Sequence, residues 1–142
     1  LEMLHTKSRV IQRASLAPGQ ANLLDDFKAE LVDLNIEFEP GSAKEVVFNV
    51  RGASIVYDVQ KQELAVNQIR ASAPLQNGKQ RIRILCDRNG LEVFAGDGLA
   101  YIPLPFLPKA DNTSLGVESR GGEARINRLE AFEMKSAWDA KP

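Results

Sequence analysis

Residues 81–98 read RIRILCDRNGLEVFAGDG, and this stretch decides the fold. Ile82, Ile84 and Cys86 alternate with Arg81, Arg83 and Leu85, the period of two that gives a strand one buried and one open face. Asn89-Gly90 comes next. That dipeptide tolerates positive φ at both centres of a type I′ turn, so a hairpin is expected there. Residues 91–95 form the returning strand, Asp97-Gly98 signals a second hairpin, and residues 99–104 close a three-stranded antiparallel meander. Three carboxylates ride on it: Asp87 at a strand end, Glu92 in mid-strand and Asp97 in a turn.

Similar signals continue on either side. The cleanest strand spans residues 30–39, with Val32, Leu34, Ile36 and Phe38 on one face and Asp33, Asn35, Glu37 and Glu39 on the other. Burying each apolar side chain is worth about 1.5–3 kcal/mol, so these four set the register. Strands are further expected at 7–12, 45–50, 53–59, 63–67 and 113–118. The turn signals between them are Pro18-Gly19, Pro40-Gly41, Arg51-Gly52, Asn77-Gly78 and Gly121-Gly122. Residues 105–108, Pro-Phe-Leu-Pro, lack the donors of a central strand and read as a loop that lays Phe106 and Leu107 over the core. In the last element Ile126, Leu129 and Phe132 keep a helical spacing, whereas Phe132 and Met134 alternate like a strand. A long, bulged strand is expected there, on pattern and resemblance together. Ten or so short strands with regular turns predict a single all-β sandwich or barrel.

At 142 residues the chain has the length of about one domain, enough to bury roughly 70% of its unfolded surface. Its 44% hydrophobic and 26% charged residues are those of a globular protein. The net charge of −1 comes from interleaved acids and bases, with no basic patch for nucleic acid. No apolar run is long enough for a membrane-spanning helix. Cys86 is the single cysteine, so an internal disulfide is excluded, and its inward position reads as a buried structural thiol. No signal-peptide pattern opens the chain. Asn112-Thr113-Ser114 fits a glycosylation triplet and marks an exposed loop.

A strand ending in Asp87-Arg88, a turn, Leu91-Glu92-Val93-Phe94 and then Asp97-Gly98 resembles the C-terminal β-sandwich of glycoside hydrolase family 32, the invertases, levanases and inulinases. The resemblance extends to the opening Leu1-Glu2-Met3-Leu4-His5, to Val56-Tyr57-Asp58 with Glu63-Leu64-Ala65-Val66, and to the tail from Ile126 to Trp138. It departs at Asn67-Gln68, where the family often carries Asp-Arg. It implies that residues 1–7 are a linker from an N-terminal catalytic propeller and that residues 8–142 form one all-β sandwich of two antiparallel sheets, of the concanavalin-like jelly-roll type. The propeller would be the partner, and self-association is expected if the surface facing it is left open. For a fructan-degrading parent, a secreted or periplasmic setting is favoured.

Glycoside hydrolysis generally needs two carboxylates flanking one bond. Asp87, Glu92 and Asp97 invite that role, but acids on the outer face of a sheet are ordinarily solvated, and Glu92 can simply pair with Arg81 or Arg83. The family's catalytic motifs, Asn-Asp-Pro-Asn-Gly, Arg-Asp-Pro and Glu-Cys, are absent from the chain. The expectation is therefore no catalytic residue in this chain and a supporting role for it. His5 is the only histidine, which leaves no zinc set, and Asp87, Asp97 and Asp111 lack calcium-loop spacing. No cofactor is expected. The alternative is an independent fructan-binding module resembling carbohydrate-binding module family 66. Its candidate contacts are Tyr57, Asp58, Asp87, Arg88, Glu92 and Tyr101, with the two tyrosines equally readable as core aromatics.

Overall fold

The computed structural model describes residues 3–136. Among them are eleven strands and no helix: β1 (Met3–Leu16), β2 (Val32–Glu39), β3 (Glu45–Val50), β4 (Ala53–Asp58), β5 (Glu63–Val66), β6 (Ile69–Ser72), β7 (Gln80–Cys86), β8 (Gly90–Ala95), β9 (Ala100–Pro105), β10 (Leu115–Arg120) and β11 (Ala124–Ser136). They form a six-stranded sheet in the order β1-β11-β2-β7-β8-β9 and a five-stranded sheet in the order β10-β3-β4-β5-β6. Neighbouring strands are antiparallel throughout, which is the expected two-sheet sandwich.

The core lies between the sheets. From the six-stranded sheet come Val32, Leu34, Ile36, Phe38, Ile82, Ile84 and Val93, all buried in the register read from the sequence. The five-stranded sheet answers with Val46, Phe48, Ile55, Tyr57 and Leu64. Phe38 is the hinge of this packing, with its ring 6.0 Å from Phe48 and 5.8 Å, edge to face, from Tyr57. Aromatic pairs prefer such tilted geometry because the positive ring edge meets the negative face.

Turn chemistry bears out the hairpins with one correction. Arg51-Gly52, Asn77-Gly78 and Asp97-Gly98 each place both residues at positive φ, as a type I′ turn requires. Asn89-Gly90 does not. The β7–β8 loop is centred on Arg88-Asn89 and closes through the Asp87 N–H to the Gly90 carbonyl at 3.0 Å. The Asp87 carboxylate accepts from the N–H groups of Asn89 at 2.8 Å and Gly90 at 2.7 Å. A side-chain turn of this kind competes with the backbone turn that Asn-Gly favours, and here it wins.

Several boundaries also differ from expectation. β1 runs from Met3 to Leu16, longer than the strand expected at 7–12, and pairs with β11 from Met3 opposite Ser136 to Leu16 opposite Ala124. β6 was not foreseen: its four residues are largely exposed and carry little alternation. The last element is the long strand expected, with a register irregularity between Ile126 and Arg128 that accounts for the helical spacing there. Phe106 packs against the core, but Leu107 is 78% exposed rather than laid over it. Trp138 lies outside the described residues, as do the side chains of Leu1, Met3, Leu4 and His5.

Arg51 shows how a costly conformation is held. Positive φ is unusual for arginine, and its guanidinium is buried. Its Nε donates to the Asn112 backbone carbonyl at 2.8 Å, Nη1 to the Glu30 backbone carbonyl at 3.0 Å and Nη2 to the Lys109 backbone carbonyl at 2.9 Å. One side chain thus fastens the 109–112 loop and the approach to β2 onto the β3–β4 hairpin.

Candidate functional site

The six residues proposed to contact sugar do not lie together. Tyr57 is fully buried on β4, and its hydroxyl donates to the Ala73 carbonyl at 2.6 Å. It is a core aromatic with a satisfied polar tip. Asp58, at the end of β4, accepts from the Lys61 N–H at 3.0 Å and shapes the β4–β5 turn. Asp87 and Arg88 sit in the β7–β8 turn, in the other sheet. Glu92 and Tyr101 do meet: the Tyr101 hydroxyl donates to Glu92 Oε1 at 2.6 Å.

Nor do the three carboxylates of the meander form a catalytic pair. Asp87 and Asp97 occupy turns at opposite ends of β8, a six-residue strand, and so stand on the order of 20 Å apart. Glu92 is committed to Tyr101, and Asp97 faces Arg81 at 3.5 Å. Among the described residues no three His, Cys, Asp or Glu side chains are grouped to hold a metal.

What the fold does assemble is a groove on the outer face of the six-stranded sheet, with a volume of about 590 Å³. Alternation puts Asn35 and Glu37 of β2, Arg81 and Arg83 of β7, Phe94 of β8, and Arg128 and Glu130 of β11 on this one face, with Asp97 and Gly98 at its rim. A second lobe of about 290 Å³ shares Glu37, Arg81 and Asp97 and continues to Gln76, Asn77 and Lys79. The aromatic wall is a stack: the Phe94 and Tyr101 rings lie 4.8 Å apart and 20° from parallel.

The charges of the groove are organised in pairs. Arg81 Nε donates to Glu37 at 2.8 Å, Arg83 makes a two-pronged contact with Asp33, and Arg128 reaches Glu130 at 2.8 Å. The Arg81 hydrogen bond, helped by Asn127, holds the Glu37 carboxyl below its ordinary range against the opposing effect of burial. The hydrogen bond to Glu92 pushes the Tyr101 phenol up. Asp33 corrects the reading of the outer face: it is 3% exposed, not solvated, with Phe132 and Leu85 as its cross-strand neighbours. Asn35, Phe94, Arg128 and Glu130 were not singled out from the sequence. Their strand alternation placed them outward, but their convergence depends on β11 lying beside β2, a pairing of distant segments.

Residues 1–133 match the family model described as glycosyl hydrolases family 32 C terminal. The chain belongs to that family. It corresponds to the C-terminal domain of that family, distinct from the part of such enzymes that carries catalysis. A curated relative, the levanase of Bacillus subtilis (strain 168), is 28% identical over 165 residues, covering all of this chain and 24% of the levanase. The chain thus spans about a quarter of that relative's length. Among solved structures, the exo-inulinase of Aspergillus awamori superposes with a TM-score of 0.78 at 19% identity, over 94% of this chain and 30% of that one. Fructan 1-exohydrolase IIa of Cichorium intybus gives 0.70 at 16%, over 94% and 36%. At these identities the structural likeness shows the shared fold alone. In each case the matched region is a minority of a longer chain.

Proposed function

We propose that this family 32 C-terminal domain serves a hydrolase of β-fructosides, packing against its N-terminal catalytic propeller and stabilising it. The observation that carries this is the family match over residues 1–133, coupled with a relative named levanase of which the chain spans about a quarter. The chemistry agrees, because each meander carboxylate is engaged in holding the fold. Asp87 ties a turn, Glu92 accepts from Tyr101 and Asp97 faces Arg81. A sandwich with its own closed core suits a supporting module, since interfaces between domains of one chain bury only roughly 600–1,500 Å² and leave each domain to fold by itself.

The test uses the purified chain and its parent enzyme. The chain alone releases no fructose from sucrose, levan or inulin. The parent with residues 1–142 deleted loses activity faster on heating than the intact enzyme. Fructose release by the chain alone, abolished by Glu92→Gln, would overturn the reading, as would a deletion that leaves thermal inactivation unchanged.

A further inference from the structure

We propose that the two-lobed groove on the outer face of the six-stranded sheet binds a neutral oligosaccharide. Its lining is balanced in charge. The larger lobe carries Arg81, Arg83 and Arg128 against Glu37, Asp97 and Glu130, and the smaller adds Lys79 beside Glu37, Arg81 and Asp97. An anionic ligand would have to compete with carboxylates already holding these arginines, and a cationic one with the arginines. A neutral ligand rich in hydroxyls displaces neither. Each hydroxyl both donates and accepts, so neighbouring hydroxyls can bridge a guanidinium and the carboxylate beside it. Hydrogen bonds with one ionised partner are roughly twice as strong as neutral ones.

The apolar side of such a ligand has a place too. Phe94 lines the larger lobe and is braced from behind by Tyr101, whose hydroxyl is tied to Glu92. A ring stacked on one face and open on the other is a preorganised wall for the C–H face of a sugar, and less side-chain entropy remains to be lost on binding. Asn35 adds an amide already oriented by its 2.9 Å bond to Asp33. The two lobes meet at Arg81, Glu37 and Asp97, which suits a ligand of more than one sugar unit crossing that point.

This site is independent of docking to a propeller, because it is read on the purified chain alone. Isotope-labelled chain is titrated with a levan oligosaccharide, an inulin-type oligosaccharide, maltohexaose and a heparin fragment while amide shifts are followed by NMR. The proposal expects saturable shifts with at least one neutral probe, centred on β2, β7, β8 and β11. Phe94→Ala and the exposed Arg81→Gln, each checked for unchanged circular dichroism, should weaken that binding by about tenfold or more, equivalent to about 1.4 kcal/mol. The site is overturned if no neutral probe shifts these strands, if only the anionic heparin fragment binds, or if both variants bind as the wild type does.

Discussion

Arg83 on β7 grips both carboxylate oxygens of Asp33 on β2, with Nε at 3.1 Å and Nη2 at 3.0 Å. The aspartate side chain is 5% exposed and the arginine 51%, so the pair joins a buried acid to the open face. The hydrogen bond to Asp33 pushes the Arg83 guanidinium up from its ordinary value against the effect of burial. Hydrogen bonds to charged groups contribute about 1.5–3 kcal/mol, and Arg83→Ala should cost about that much in urea melts. A loss under about 0.5 kcal/mol would mean that the acid's other contacts, Asn35 among them, hold it without Arg83.

The core should respond more sharply. Phe38→Ala removes the ring that joins Phe48 to Tyr57 and should cost about 3–5 kcal/mol. Tyr57→Phe keeps the ring and deletes one buried hydrogen bond. The Ala73 carbonyl retains Gln80 Nε2 at 3.0 Å, so the expected loss is only about 0.5–1.5 kcal/mol. Equal losses for the two variants would contradict this assignment of the packing.

Cys86 is buried on β7, and burial pushes its thiol up to about 11. The thiolate is the reactive species, so at about pH 8 a thiol reagent should modify the folded chain only as fast as it opens. Adding urea past the unfolding midpoint should bring rapid, stoichiometric reaction. Fast labelling of the native protein would show that β7 is not covered as described.

The pH dependence follows from two opposite shifts. Glu37 lies below its ordinary value of 4.5, so the unfolded chain holds its proton more readily. Its contribution is present above pH 4.5 and is lost as the pH falls through the folded value. Glu37→Gln should reduce this acid sensitivity. Tyr57 and Tyr101 are shifted upward, by burial and by the Glu92 hydrogen bond respectively. Their contribution is complete below their ordinary 10.0 and is lost as the pH rises through the folded values. Ultraviolet titration should find little tyrosinate at pH 10, and Tyr101→Phe should leave a single tyrosine that ionises with alkaline unfolding. Half-ionised tyrosine well below pH 10 in the native protein would contradict both contacts.

Sequence pattern carried the fold where burial and alternation agree. Val32, Leu34, Ile36 and Phe38 alternate without a break, and a slip of one residue would expose all four, so the β2 register had one solution. Asp97-Gly98 behaves as its dipeptide dictates, whereas at Asn89-Gly90 the neighbouring Asp87 supplies a competing side-chain turn. β6 lacked a pattern because little of it is buried. The candidate site was the least legible part. Tyr57 has the composition of a sugar contact and the position of a core residue, and β4 signals this by setting Ile55 and Tyr57 against Ser54 and Asp58. The groove draws on segments from Asn35 to Glu130, brought side by side by the β11–β2, β2–β7 and β7–β8 pairings.

The supporting role is tested most directly by adding this chain in trans to the catalytic domain of its own parent, expressed separately. At roughly 50 μM of each, far above a Kd of about 1 μM, gel filtration with light scattering should show a one-to-one complex. The catalytic domain should melt at a higher temperature in it than alone. Two species that elute separately, with melting temperatures unchanged on mixing, would contradict the supporting role.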